Sequence, residues 1–427
     1  MQEEEMLDLK FIRNNKDLVQ KASNAKNFPV DIDKLLKLDS EIIPLQQQLE
    51  ELQAKRNKLS KTFAKLSDAE KKSTGDQIIQ IKQEMDALQP QLQTKKSSLK
   101  ELMLLVAQPA RDDVPIGKDD NDNQVISTSG KVRDFDFPAK DHIELGEKLG
   151  ILDFKRGVKL AGSRSYVLTK EGALLEKALM RFVYDFLLTR KFTPISVPVL
   201  VNEAAMEGTG YFPVGKDQSY FIEKDKLALV GTSEVPMCSL HSDEILAEST
   251  LPLRYMAETT CFRREAGTYG KDTRGLYRVH QFQKIEMVIL APADKKITDV
   301  LHEELLENSE LILQALKLPY RKVYVCTGDL GQGQVRKHDL ETWMPSRESY
   351  GETHSCSSFY DFQSRRLKIR YKTKDGKKHF VYTLNNTACA SPRMLIPLIE
   401  NYQTKDGRIE IPEPLRKYMN NMTHIGG

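Results

Sequence analysis

From Asp31 to Val106, apolar residues recur at alternating spacings of three and four, and no other stretch narrows the fold so far. Leu35, Leu38, Ile42, Leu45, Leu49, Leu52, Leu59, Phe63 and Leu66 hold the heptad positions, with only the Arg56 slot polar. After a break from Ser67 to Gly75 the pattern resumes at Ile78, Ile81, Met85, Leu88, Leu92, Leu99, Leu102 and Val106, with Lys95 as the exception. Two heptad helices joined by so short a break are expected to fold back on each other as an antiparallel coiled-coil hairpin over about residues 31–106. Each limb would reach roughly 50 Å at 1.5 Å per residue. Pro44 and Pro90 fall inside the pattern and are expected to bend it. A short amphipathic helix is expected before it, over residues 8–24.

Charge on this arm is uneven. Residues 30–54 hold two basic and six acidic side chains. Residues 55–72 hold Lys55, Arg56, Lys58, Lys61, Lys65, Lys71 and Lys72 against Asp68 and Glu70. The far end of the hairpin is thus strongly positive while its base is negative. Heptads alone fit a dimerisation coil; the basic tip favours a finger that meets a phosphate backbone by shape and charge. The whole chain of 427 residues carries only +3, so any nucleic-acid contact must come from such local clustering.

The remainder reads as a mixed α+β body. Residues 109–135, with Pro109, Pro115, Gly117 and a run of Asp and Asn over 119–123, are expected to link arm (1–108) to body (136–427). Helices are expected over 173–188, 234–246 and 297–316. Strands are expected near 227–230, 321–326 and 380–384, with an edge or interface strand over 192–201, where prolines recur. Strands with hairpin connections imply a mostly antiparallel sheet flanked by helices. No glycine-rich nucleotide loop occurs. The five cysteines form no C-x-x-C pair, which argues against zinc and against disulfides and fits a reducing cytoplasm. No apolar run is long enough to span a bilayer, so no membrane partner is expected.

Within the body, Cys261-Phe-Arg-Arg-Glu265 and Leu276 to Met287 read as two strands joined by a loop with Gly267, Gly270 and Gly275. Period-two alternation puts Arg278, Phe282 and Glu286 on one face of the second strand, and Arg263 and Glu265 on one face of the first. If the faces coincide, two guanidiniums, a ring and two carboxylates line one surface. A solvated face paired by salt bridges fits the same alternation.

These residues, together with others in order along the chain, resemble the class II aminoacyl-tRNA synthetases, and within them the seryl-tRNA synthetase family. The likeness runs through the heptad arm, Lys140 to Glu147, Glu207-Gly-Thr-Gly210 and Gly231-Thr-Ser-Glu-Val-Pro236. The segment around Pro198 resembles the family's first signature motif, which in the family lies at a dimer interface. The hairpin resembles the second motif. The stretch from Thr383 to Arg393, followed by Glu400-Asn-Tyr-Gln403, resembles the third.

The resemblance implies roles. Arg263 would hold the ATP α-phosphate, and Arg278 a further phosphate. Phe282 would stack on adenine, with Arg393 on its other face or at the terminal phosphate, and Glu265 would accept from the adenine amino group. Arg264, Val279, Thr353 and His354 match the remainder of the ATP site. Glu352 and Ser355 match a Mg²⁺-binding pair of hard oxygen ligands; His354 and Cys356 are not expected to bind zinc. Glu286 and Glu234 would bind the ammonium of serine, with Thr232 and Ser233 in the same pocket and Thr387 at the serine hydroxyl.

The third motif departs from the family's usual glycine-rich run, reading Asn385-Asn-Thr-Ala and then Ser391-Pro392-Arg393. Ser391 is expected to cap a helix that starts at Pro392, and Pro397 to kink it. The implied chemistry is serine activation by ATP and transfer to tRNA(Ser), and to the selenocysteine tRNA as well, in a homodimer whose arm serves the partner subunit. Two other readings are a synthetase-like enzyme that loads a carrier protein, and a non-catalytic coiled-coil scaffold.

Overall fold

The computed structural model describes residues 7–64, 66–267 and 274–426. Lys65 of the basic tip, Gly270 of the hairpin loop and the acidic N-terminus lie outside the described residues. Two compact units are present, one of residues 7–107 and one that starts at Gln108.

In the first unit the helix expected over 8–24 is split at Asn15 into α1 (Leu9–Asn14) and α2 (Lys16–Ala25). The heptads form α3 (Ile32–Phe63) and α4 (Asp68–Leu105), which pack along each other. The turn between them is shorter than the expected break. Ser67 caps α4 in a capping box, its N–H donating to Glu70 at 2.9 Å, so Asp68 already begins the helix and Gly75 lies inside it. Leu35, Ile42, Met85 and Leu92 are buried, while Leu59, Phe63 and Ile78 near the turn are half-buried. Lys95, the polar exception in the second heptad run, reaches Glu41 on the facing helix at 2.5 Å. The guanidinium of Arg13 forks onto Asp39 at 2.6 and 2.9 Å, which ties α1 to α3.

In the second unit, eight strands among the described residues form one sheet. They are β1 (Gln124–Ser129), β2 (Thr193–Pro194), β3 (Leu253–Phe262), β4 (Gln281–Ala291), β5 (Tyr320–Tyr324), β6 (Arg336–Met344), β7 (Ser349–Tyr360) and β8 (Tyr382–Ala390). Their order is β1-β5-β6-β7-β8-β4-β3-β2, antiparallel throughout except for the parallel pairing of β2 with β3. Pro194 thus lies on an edge strand, where its missing N–H breaks no ladder. The opposite edge, β1, comes from the stretch expected as a linker. The expected helix over 234–246 stops at Ser239 (α6, Glu234–Ser239), and Ile245–Ala247 is a strand paired with Arg370–Lys372.

Helices α5 (Lys170–Thr189), α7 (Lys295–Ala315) and α8 (Ser391–Asn401) supply much of the main core. Strand β4 divides its residues by parity. Ile285, Met287, Ile289 and Ala291 face that helical core, while Val288 and Leu290 pack into a second one beside Met237 and Val381. The even positions at its other end are Phe282, Lys284 and Glu286.

Candidate active site

Of those three even positions, Phe282 and Lys284 open onto a cleft of about 450 Å³, counting its solvent mouth, while Glu286, 2% exposed, is not among its walls. Its walls are Arg263, Glu265, Tyr277, Arg278, Val279, Phe282, Lys284, Glu352, Thr353, Thr387, Ala390, Pro392 and Arg393. The β3–β4 pairing ends at Phe262 and Gln281, so Arg263, Glu265 and Arg278 sit on loops beyond the ladder rather than on strands. Loop geometry, and not alternation, gathers them. Arg263 is pinned through its backbone to His280, whose ring contacts the Arg263 carbonyl at 2.9 Å. Its Nε donates to the Gly231 carbonyl at 3.3 Å. The guanidinium then lies 5.3 Å from the centre of the Phe282 ring, within cation–π range. Glu265 takes a left-handed conformation (φ 53°) and meets Arg278 at 3.4 Å.

Two β-bulges set the opposite wall. The register of β6 with β7 slips at Thr353, so that Glu341 faces Glu352 while Leu340 faces His354. The extra residue puts Glu352 and Ser355, three apart, on the same side of the sheet, and sends His354 to the other. Likewise β8 bulges at Ala388 against β4, which leaves both Thr387 and Ala390 at the cleft. Arg393, in the first turn of α8, pairs with Glu352 at 3.0 Å and lies over the Tyr277 ring at 4.7 Å. Ser391 does not cap that helix as expected. It is the first helical residue, and its hydroxyl donates to Glu176 at 2.7 Å. Pro397 does lie inside the helix, and cannot donate to the Arg393 carbonyl one turn back.

Beneath the cleft is a buried polar cluster. The ammonium of Lys284 is 2.5 Å from Glu286 and 3.1 Å from the Thr232 hydroxyl. Glu234 accepts from Tyr211 at 2.9 Å and from Gln363 at 2.8 Å. Burial drives the carboxyl of Glu286 upward, opposed by Lys284. Burial and then the Glu286 charge push Glu234 to about 7. For Glu352, burial also pushes upward, but Arg393, Lys337 and Arg263 outweigh it and hold the carboxyl at about 2. Asp339 beside Ser355 is raised to about 7 by burial, against the pull of Lys337.

Of the residues singled out from the sequence, Arg263, Glu265, Arg278, Val279, Phe282, Glu352, Thr353, Thr387 and Arg393 meet at the cleft. Thr232, Glu234 and Glu286 lie in the cluster below. Ser355 shares the sheet face of Glu352 without lining the cleft, and three further side chains are not brought there. Arg264 is exposed and donates to the Asp217 carbonyl, because the backbone turns outward after Arg263. Ser233 is buried against the Ala257 carbonyl. His354, turned away by the bulge, contacts the Thr353 hydroxyl at 2.8 Å, and burial lowers it to about 4. Lys284, Tyr277, Tyr211 and Gln363 were not foreseen. Lys284 was within reach of the sequence, since it shares the parity of Phe282 and Glu286.

On the arm, Lys55, Lys58, Lys61 and Lys72 are exposed and Arg56 and Lys71 half-exposed, gathered on the last turns of α3 and the first turn of α4. Among the described residues no group of three or more His, Cys, Asp or Glu could hold a metal ion. No helix of the described residues is long and apolar enough to cross a membrane.

Comparison with known proteins gives two family models in series. Residues 6–108 match the seryl-tRNA synthetase N-terminal domain, and residues 220–402 the class II tRNA synthetase core domain of the G, H, P, S and T enzymes. The chain is 43% identical to the serine–tRNA ligase of Deinococcus radiodurans over 99% of both chains. It is 41% identical to that of Pseudothermotoga lettingae, over 97% of this chain and 99% of the relative. The seryl-tRNA synthetase from Pyrococcus horikoshii, solved in complex with ATP, superposes with a TM-score of 0.88 at 34% identity, over 98% of this chain and 99% of that one.

Proposed function

The chain belongs to the seryl-tRNA synthetase family of class II aminoacyl-tRNA synthetases, and on that footing we propose how its residues divide the work. It is an ATP-dependent serine–tRNA ligase, with L-serine, ATP and tRNA(Ser) as substrates.

The serine carboxylate attacks the α-phosphorus of ATP, giving seryl-adenylate and pyrophosphate. No side-chain nucleophile is required; position and electrostatics lower the barrier. Arg263 stands at the α-phosphate, a guanidinium fixed by the Gly231 carbonyl where negative charge grows. Phe282 offers its ring to adenine and Glu265 a carboxylate to the adenine amino group. Arg278 and Arg393 reach the outer phosphates. Glu286 and Glu234 receive the ammonium of serine beside Thr232, and Thr387 meets its hydroxyl, so that alanine would leave buried polar groups unpaired. The terminal ribose hydroxyl of the tRNA then takes the seryl group.

Mg²⁺ suits this donor set, since Glu352 is kept ionised and shares its face with the Ser355 hydroxyl, two hard oxygens that leave room for waters and phosphates. When bound there it neutralises phosphate charge. The basic tip at residues 55–72 grips tRNA by shape and charge, the selenocysteine tRNA included. The enzyme works as a homodimer in the cytoplasm. Support for the dimer comes from Leu174, Leu188 and Leu200, more than two-fifths exposed on α5 and in the proline-rich segment after it. Support for the compartment comes from five cysteines that are all free thiols.

The observation that carries the site is the meeting of Arg263, Phe282, Glu352 and Arg393 around one cleft above Glu286. Serine-dependent ATP–pyrophosphate exchange, run beside threonine, alanine and cysteine, tests it. Exchange with serine at least about a hundredfold above alanine is expected, and equal rates would overturn the pocket assignment.

A further inference from the structure

Lys284 is only 6% exposed, and its neighbours Glu286 and Glu234 are 2% and 5% exposed. A buried lysine is retained at such a depth only with close partners. Here one partner is Glu286 at 2.5 Å, and the other is the Thr232 hydroxyl at 3.1 Å, which also accepts the backbone N–H of Glu234 at 3.3 Å. Lys284 is therefore paired directly with the Glu286 carboxylate and tied to the backbone of Glu234 through a shared hydroxyl.

We infer that Lys284 is a positioning residue for serine, the internal counter-charge that favours the ionised form of both buried carboxylates, so that when both are ionised their pocket presents a single uncompensated negative charge to a single ammonium. The inference rests on the ammonium-binding role proposed above for Glu286 and Glu234. A neighbouring carboxylate raises proton affinity, and the Glu286 charge does so for Glu234. Lys284 lowers it in both carboxyls. The other titratable groups that face the cluster are Arg263, Tyr211, Cys238 and Cys261, with His354 behind it on the other side of the sheet. Burial keeps the phenol and the two thiols protonated and the imidazole neutral. Arg263 is the remaining cation, and it is committed to the α-phosphate. With serine bound, two ammonium groups face two carboxylates and the pocket is neutral.

The sign follows. Without Lys284 both carboxyls bind protons more tightly, so serine is captured only at higher pH. The test is kcat/KM for serine in pyrophosphate exchange from pH 6 to 9. Lys284→Met is expected to move the acid limb upward by about one pH unit, a loss of about tenfold at low pH that shrinks as pH rises. Adding Glu234→Gln removes one negative charge and is expected to move the limb back. A loss equal at every pH, a limb that Glu234→Gln does not move, or a raised KM for ATP alone would overturn the inference. Should Lys284→Met not fold, the same comparison is made between Glu234→Gln and the double variant, whose limb is expected at the higher pH. Glu286→Gln separates the two layers. An unchanged serine KM there refutes the ammonium pocket itself, whereas a raised KM alongside a pH-flat Lys284→Met refutes only the role of Lys284.

Discussion

Arg263 shows how little of a residue's purpose lies in its own position along the chain. It sits one step beyond the end of a strand, and its place is set by the Gly231 carbonyl, the His280 backbone and the Phe282 ring. Arg263→Ala is expected to slow pyrophosphate exchange by about 10²–10³ with circular dichroism unchanged, because one preorganised charge at the reacting phosphate is lost. Glu352 is the complementary case. Its low proton affinity means that it stays a carboxylate throughout the working pH range, so Glu352→Gln is expected to raise the Mg²⁺ concentration for half-maximal exchange by about tenfold or more. A titration that matches wild type would remove Glu352 from the metal's ligands. The types of residue needed for adenylate chemistry were readable from the sequence together with its family resemblance. The bulges at Thr353 and Ala388 were not, since nothing local announces an extra residue in a strand. The resemblance implies His354 at the ATP site, and the bulge turns its side chain to the other face of the sheet.

At the scale of elements the heptads were legible because their period is long and sustained, and every apolar slot from Leu35 to Leu66 is buried or half-buried. The turn is shorter than expected by several residues because a capping box outweighs a glycine placed about two turns further on. Ser67→Ala is expected to loosen that corner by about 1 kcal/mol, read as lost amide protection at the start of α4. Deletion of residues 31–105 is expected to spare adenylate formation and largely abolish tRNA charging. Changing Lys55, Lys58, Lys61 and Lys72 to Glu should do the same without shortening either helix, and flatten the salt dependence of tRNA binding. Intact charging by either variant would show that the positive tip is not the tRNA grip. In the body, short strands such as β1 and Ile245–Ala247 escaped notice because their fate depends on distant partners rather than on local pattern.

For the whole molecule, two compact units imply two melting events, and calorimetry is expected to resolve one for the arm and one for the body. Leu92→Ala should lower only the first, by about 2–4 kcal/mol of arm stability, with exchange activity unchanged. A dimer in which each arm serves the other subunit predicts a further result. Mixing an arm-deleted chain with a full-length Arg263→Ala chain should restore charging that neither has alone. The body offers no such separation of parts, since the eleven residues of β4 reach from the serine pocket at one end into two apolar cores at the other. Selection on the buried positions of Phe282–Ala291 therefore acts for reactivity at one end and for stable packing at the other, and evolutionary drift in the family should be slow along that one ribbon.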